Sequence, residues 1–222
     1  MQYYKVIEKF TSVNGEGLRS GELTTFIRFY GCNLRCAFCD SKYTYSQSEP
    51  FELLTAQQIL DYIKSTGIRN VTLAGGEPLY QPHMKELLQL VCGAGYLVEI
   101  ETNGAINIAQ YMDLPNRPSF TLDYKTGCSG GMEQHMDLSN YKHITKHDSV
   151  KFVVATTADL DTMRRVVAEH DLIAKTNVLV SPCYGDIELV TIVEYLKAHN
   201  LNGIKLQIQL HKYIWDADMR GV

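Results

Sequence analysis

Three features predict an α/β fold, a partial, open TIM-like barrel built on a parallel sheet. β-Branched and aromatic runs alternate with amphipathic helical stretches from residue 24 onward, the order that lays crossover helices over a parallel sheet. The chain has 222 residues, while a complete eightfold barrel takes about 250. The segments with unusual chemistry fall directly after strands, where such folds place their sites. There is no internal repeat and no Gly/Ser- or Pro-rich linker, so residues 1–222 are read as one domain.

Thr24–Tyr30 is read as the first strand, on its β-branched and aromatic content, and Gly31 ends it. Thr55–Ser65 is a helix, capped by Thr55, with Ile59, Leu60, Tyr62 and Ile63 as its apolar face. Asn70–Ala74 is the second strand, and Pro82–Val91 is helical, with Met84, Leu87, Leu88 and Val91 on one side. Strands follow at Tyr96–Glu101, Phe120–Asp123, Val150–Ala155, Asn177–Ser181 and Ile204–Leu210, with helices at Asp159–Glu169 and Ile187–His199. Gly127–Asn140 has no clear period and reads as a loop with a short helix.

Composition excludes several classes. Lys plus Arg number 21 and Asp plus Glu 25, a formal net charge of −4, which argues against a broad nucleic-acid or anionic-membrane surface. No apolar run is long enough to span a bilayer. Lys5, Glu8 and Lys9 interrupt any signal-peptide core, so a cytoplasmic protein is expected.

Of the six cysteines, Cys32, Cys36 and Cys39 fall in one loop after the first strand, while Cys92, Cys128 and Cys183 are scattered and read as structural or incidental. An odd cluster of three is no disulfide framework. Three thiolates can converge on a soft metal centre. Zinc would want a fourth ligand at familiar spacing, and the nearest histidine is His83. An iron–sulfur cube held by three cysteines keeps one iron open to a small molecule. A zinc site with a remote fourth ligand, and three incidental cysteines, are the alternatives.

Cys32-Asn33-Leu34-Arg35-Cys36-Ala37-Phe38-Cys39 resembles the signature of the radical S-adenosylmethionine superfamily. That resemblance implies a [4Fe–4S] cluster on the three cysteines, S-adenosylmethionine on the fourth iron, and a 5′-deoxyadenosyl radical after reductive cleavage. It implies that Phe38 packs near the adenine. Gly75-Gly76-Glu77-Pro78 resembles the motif that binds the cofactor's amino group, with Glu77 as the carboxylate for a cationic group. Glu101-Thr102-Asn103-Gly104 resembles the ribose and methionine motif, and Lys125 offers a cation for the methionine carboxylate. Where many relatives read Ser-Pro-Lys this chain has Asp123-Tyr124-Lys125, so Asp123 stands in the serine's place.

Four further segments narrow the resemblance to the 7-carboxy-7-deazaguanine synthases: Asn14-Gly15-Glu16-Gly17, Arg28, Asp40-Ser41 and Gln209-Leu210-His211. Asn14 stands where the family usually has Gln. That family converts 6-carboxy-5,6,7,8-tetrahydropterin to 7-carboxy-7-deazaguanine and releases ammonia, with magnesium assisting. The resemblance implies that Asn14, Gly15, Glu16 and Gly17 take the guanine-like edge, and that Arg28, Gln209 and His211 serve the rest of the substrate. Ser41 matches the position whose hydroxyl binds Mg2+. It further implies a flavodoxin-type reducing partner and a homodimer. Residue by residue, blander readings stand beside these: a turn at Asn14-Gly15, an acid partner for Arg28 on a neighbouring strand, a solvated Lys125, a helix or turn cap at Ser41. An activating enzyme for a glycyl-radical protein would share the cysteine loop and the Gly-Gly-Glu-Pro turn, but resembles Asp-Thr-Asn-Gly where this chain has Glu101.

Overall fold

In the computed structural model, which describes residues 2–222, a nine-stranded sheet forms the centre. The strands are β1 (Tyr4–Val13), β2 (Leu23–Phe29), β3 (Glu52–Leu54), β4 (Asn70–Gly75), β5 (Leu97–Thr102), β6 (Ser119–Tyr124), β7 (Ser149–Val154), β8 (Asn177–Pro182) and β9 (Ile204–Leu206). Their order is β3-β1-β2-β4-β5-β6-β7-β8-β9, and the two edges do not meet, so the barrel is open as the chain length predicts. From β2 to β9 every neighbouring pair is parallel.

The helices are α1 (Ala56–Thr66), α2 (Met84–Gly93), α3 (Thr157–Glu169), α4 (Leu172–Lys175), α5 (Leu189–Ala198) and α6 (His211–Ile214). Thr55 caps α1 through a reciprocal box with Gln58, and Thr156 caps α3 through one with Asp159. These caps satisfy backbone donors that the first turn leaves open.

Strand periodicity sorts the side chains into two faces. Val98 and Ile100, Phe120 and Leu122, Val150 and Phe152, and Val178 and Val180 turn outward and join one hydrophobic cluster with Ile59, Ile63, Leu87, Leu88, Leu160 and Met163 of the helices. Each such fully buried side chain contributes about 1.5–3 kcal/mol. The alternate residues turn into the barrel, and many of them are polar. Thr24 bonds Thr72 at 3.0 Å, Thr121 bonds Ser149 at 2.8 Å, and Thr121 donates to Glu99 at 2.9 Å.

The sequence reading needs three corrections. The strand read as first is second: β1 precedes it and pairs with it, β3 adds to the far edge of β1, and both pairings of β1 are antiparallel. The charges at Lys5, Glu8 and Lys9 masked β1, whose register breaks between Val6 and Glu8. The last strand ends at Leu206, not Leu210: Gln207 N still donates to the Val180 carbonyl of β8 at 2.9 Å, while its side chain binds both backbone groups of Gly17, at 2.9 and 2.8 Å. Gly127–Lys142 holds three separate 3-10 turns instead of one short helix.

Candidate active site

At the carboxyl ends of the parallel strands lies one cavity of ≈ 560 Å³, within the usual range for small-molecule sites. Cys32, Cys36 and Cys39 are half-buried and all open onto it. The loop that carries them is pinned at both ends. Gly31 donates to the Thr44 carbonyl at 2.7 Å, and Ala37 donates to the Ser129 carbonyl at 3.0 Å. Two amide donors point at the Cys32 sulfur, Leu34 N at 3.4 Å and Asn103 Nδ2 at 3.7 Å. Burial pushes the Cys32 and Cys36 thiols up, with Lys125 pulling Cys36 back. Among the described residues, no three His, Cys, Asp or Glu side chains are gathered as a single-ion site.

The glycines after β4 serve a backbone crossing. Gly75 has φ +118, and a Cβ there would strike the backbone of Phe29; a Cβ on Gly76 would strike the Gly31 carbonyl. Gly76 N donates to the Phe29 carbonyl at 2.9 Å and Glu77 N to the Gly31 carbonyl at 2.8 Å. The turn is therefore laid directly on the root of the cysteine loop, and both glycines face the cavity.

Glu77 departs from its expected role. It is fully buried and does not line the cavity. Its Oε1 accepts from Leu79 N at 3.0 Å and Thr102 Oγ1 at 2.8 Å, and its Oε2 accepts from Asn103 N at 2.7 Å. Three donors on two oxygens call for a carboxylate. Burial pushes that carboxyl up, and the three donors pull it back. Glu77 thus fastens the exits of β4 and β5 to each other, a positioning role. Gly17 is likewise displaced from the expected set: at φ +74 it sits where a Cβ would run into the Glu99 and Glu101 carboxylates, and it does not reach the cavity.

The remaining expected residues meet at the cavity: Asn14, Gly15, Glu16, Arg28, Phe38, Ser41, Glu101, Thr102, Asn103, Asp123, Lys125, Gln209 and His211 all line it. Phe38 is half-buried, with Lys125 Nζ 5.3 Å from its ring centre. Lys125 is paired to Asp123 at 2.6 Å, which excludes the solvated reading. Asn103 ties the cysteine loop to β5 by donating to Asn33 Oδ1 at 2.7 Å. Gly15 has no Cβ because the His211 ring packs there, and Leu210 N donates to its carbonyl at 3.1 Å. Burial pushes His211 down, against the pull of Glu16 and Asp40, so it is a neutral donor or acceptor near pH 7. Ser41 donates to Asp40 Oδ1 at 3.1 Å.

Arg28 has the acid partner that its strand position allowed. Its Nη1 lies 3.4 Å from Glu8 Oε2 and 2.6 Å from the Tyr43 hydroxyl, and Tyr43 donates to the same Glu8 oxygen at 2.8 Å. Glu8 also accepts from Arg220 at 2.9 Å. Arg28, Lys212 and Arg220 line the cavity together with Glu16, Asp40, Glu101, Asp123, Lys125 and Lys151, and these charges are paired: Lys212 with Asp40, Arg220 with Glu8 and Glu49, Lys125 with Asp123, and Lys151 with Glu16 and Glu101.

Sequence reasoning missed the polar floor beneath Glu16 and Glu101. Glu99 is buried and accepts from Asn14 Nδ2 at 3.1 Å and Leu18 N at 3.0 Å. Lys151 on β7 reaches both Glu16 at 3.2 Å and Glu101 at 3.3 Å. The signal was present: Lys151 is a lone cation inside Val150–Val154, and Glu99 and Glu101 interrupt an otherwise apolar strand at period two. Buried and unpartnered, Glu101 Oε1 and Asp123 Oδ1 belong to two cavity-lining side chains. Burial, with the Glu99, Glu16 and Asp123 carboxylates adding to it, pushes Glu101 up to about 8 against the pull of Lys151. The carboxylates hold Lys151 charged.

A buried acceptor without a donor is costly, so the two open oxygens suit a ligand that brings hydroxyls or positive charge. Three soft thiols with amide donors beside them suit an iron–sulfur cluster. The residues fit both groups. An open α/β barrel with a three-cysteine loop after its first parallel strand is the architecture of a radical S-adenosylmethionine enzyme, and the Radical SAM superfamily model matches residues 26–124. A [4Fe–4S] cluster and S-adenosylmethionine are the cofactors of that class. A protein of Clostridium acetobutylicum named 7-carboxy-7-deazaguanine synthase is 49% identical over 99% of both chains. One of the same name from Methanospirillum hungatei is 37% identical over 95% of this chain and 85% of its own. The chain belongs to the 7-carboxy-7-deazaguanine synthase family. The crystal structure of QueE from Escherichia coli shares the fold, with TM-score 0.72 and 23% identity over 93% of this chain and 94% of that one.

Proposed function

We propose that this cavity carries out the family's ring contraction of 6-carboxy-5,6,7,8-tetrahydropterin to 7-carboxy-7-deazaguanine, with the following division of labour. Cys32, Cys36 and Cys39 hold the cluster. When bound, the cluster and S-adenosylmethionine supply a 5′-deoxyadenosyl radical. Phe38, Gly75, Gly76, Thr102, Asn103 and the Asp123–Lys125 pair form the cofactor side, with the open oxygens of Glu101 and Asp123 taking its hydroxyl or cationic groups. Glu77 orients Thr102 and Asn103 from behind.

Glu16 takes the donor edge of the pterin, as a carboxylate suits paired N–H donors. Asn14 and Gly15 shape that end. Arg28, braced by Glu8 and Tyr43, takes the substrate carboxylate with its planar fork, and neutral His211 donates beside it, with Gln209 fixing Glu16 and Asp40 at 3.3 Å each. The observation that carries this reading is that one cavity is lined by both a carboxylate, Glu16, and a guanidinium, Arg28, the two groups that suit a substrate with paired donors and a carboxylate. Ser41, with Asp40 beside it, offers hard oxygens for Mg2+. Residues 1–222 act as one domain, as a cytoplasmic homodimer served by a flavodoxin-type reductant; among the described residues no helix is long and apolar enough to cross a membrane.

Glu16→Gln tests the substrate assignment. It should keep the cluster and the cleavage of S-adenosylmethionine, while KM for the carboxypterin rises about 10- to 100-fold, the value of a charged hydrogen bond. An unchanged KM would remove Glu16 from the substrate site.

A further inference from the structure

We infer that Lys151 is a positioning residue that couples the substrate end of the cavity to its cofactor end, by holding Glu16 and Glu101 in fixed places through one shared ammonium. The inference rests on the substrate reading of Glu16 given above.

Lys151 is almost wholly buried, at 7% side-chain exposure, and its Nζ lies 3.2 Å from Glu16 Oε1 and 3.3 Å from Glu101 Oε2. The two carboxylates come from distant parts of the chain. Glu16 sits on the connection between β1 and β2, Glu101 at the end of β5, and Lys151 in β7, where it is in register with Asp123 of β6. A buried ammonium is expensive unless paired, and nothing in the apolar run Val150–Val154 calls for one. What it provides is geometric. Among the described residues, Glu16 is otherwise held only by Gln209 Nε2 at 3.3 Å. Glu101 keeps Oε2 on Lys151 and leaves Oε1 buried without a partner. One bridge therefore sets the aim of the carboxylate assigned to the pterin and of the open oxygen assigned to the cofactor.

Charge adds a second reason. Lys151 faces Glu16 from the β1–β2 connection, Glu101 from β5, and Asp123 and Lys125 from β6, while Glu99 lies beside Glu101 and His211 beside Glu16. Without Lys151, Glu16 and Glu101 would be neighbouring carboxylates without their shared cation. Protonation of Glu101 would then be favoured further, because Lys151 is what pulls it down, and Glu16 would lose the cation that aims it.

The test compares Lys151→Met and Lys151→Arg in the reconstituted enzyme. Cluster absorbance and circular dichroism are recorded first, then KM for the carboxypterin, kcat, and 5′-deoxyadenosine released per product. Lys151→Met should raise KM at least about tenfold, as for a buried charge pair that loses one partner, and raise deoxyadenosine per product. Lys151→Arg keeps the charge and should hold KM within about threefold of wild type. An unchanged KM in a folded Lys151→Met enzyme overturns the inference, as does a Lys151→Arg enzyme as impaired as Lys151→Met with its cluster intact. Should Lys151→Met not fold, the Arg variant decides: KM within threefold supports the bridge, and a tenfold rise overturns it. Wild-type enzyme that makes no deazaguanine would instead fail the substrate reading itself.

Discussion

Replacing Glu77 by Gln removes the charge from a side chain that accepts three hydrogen bonds without touching the cavity. The amide keeps one acceptor oxygen, so it can still serve Leu79 N and Thr102 Oγ1. Its –NH2 then faces Asn103 N, a donor against a donor. Hydrogen bonds to charged groups contribute about 1.5–3 kcal/mol and neutral ones about 1, so two bonds weaken by about 1 kcal/mol each. The third is lost, and the stranded donor costs a further 1–3 kcal/mol or so. Burial of the charge is itself unfavourable here, and its removal returns part of the loss, leaving a net destabilisation of about 2–4 kcal/mol. Urea unfolding of the cluster-free protein measures this directly, as a lower midpoint at unchanged slope. In the thermal scan the shift should be about 5–15 °C for a chain of this size. A change below about 0.5 kcal/mol, the range of an uninvolved surface site, would refute the positioning role. Unchanged stability with weakened S-adenosylmethionine binding would show instead that Glu77 touches the cofactor, as its motif implied.

Two further outcomes follow. Glu101 is raised to about 8 in the folded chain from an ordinary 4.5, so its contribution to stability is present in full below pH 4.5 and is lost as pH rises through about 8. The cluster-free protein should therefore lose stability across that window, and Glu101→Gln should flatten the slope in a pH series of urea midpoints; an identical slope in both proteins would count against the assignment. Cys36→Ala should fold, since its thiol is half-buried beside a cavity, yet reconstitute without absorbance near 400 nm and without any cleavage of S-adenosylmethionine. A brown, active variant would place the cluster elsewhere.

Much of the fold was legible because its parallel strands are β-branched and aromatic runs and its helices carry apolar faces, the first of them opened by the Thr55 cap. The elements that were not legible are those whose pattern is set by the site. β1 reads as a charged run because Glu8 braces Arg28 and Tyr43. The segment after Leu206 reads as strand, yet Gln207 binds Gly17 across 190 positions, a partner that no local pattern reveals. The cysteines and most cavity residues announced themselves by residue type. Lys151 and Glu99 did not, because a single ion in a strand gains meaning only from its cross-strand neighbours. Gly17 and Glu77 lie behind the cavity lining: Gly17 stands against the Glu99 and Glu101 carboxylates, and Glu77 against Thr102 and Asn103.

The central claim, that this cavity contracts a carboxypterin on a three-cysteine cluster, is tested most directly by anaerobic reconstitution. The enzyme is supplied with 6-carboxy-5,6,7,8-tetrahydropterin, S-adenosylmethionine, Mg2+ and a low-potential reductant, and products are identified by mass. The account predicts 7-carboxy-7-deazaguanine and ammonia in equal amounts, with less than one 5′-deoxyadenosine released per turnover because the cofactor's hydrogen is returned. Cleavage of S-adenosylmethionine with no deazaguanine, accompanied by activation of a glycyl-radical protein, would contradict it.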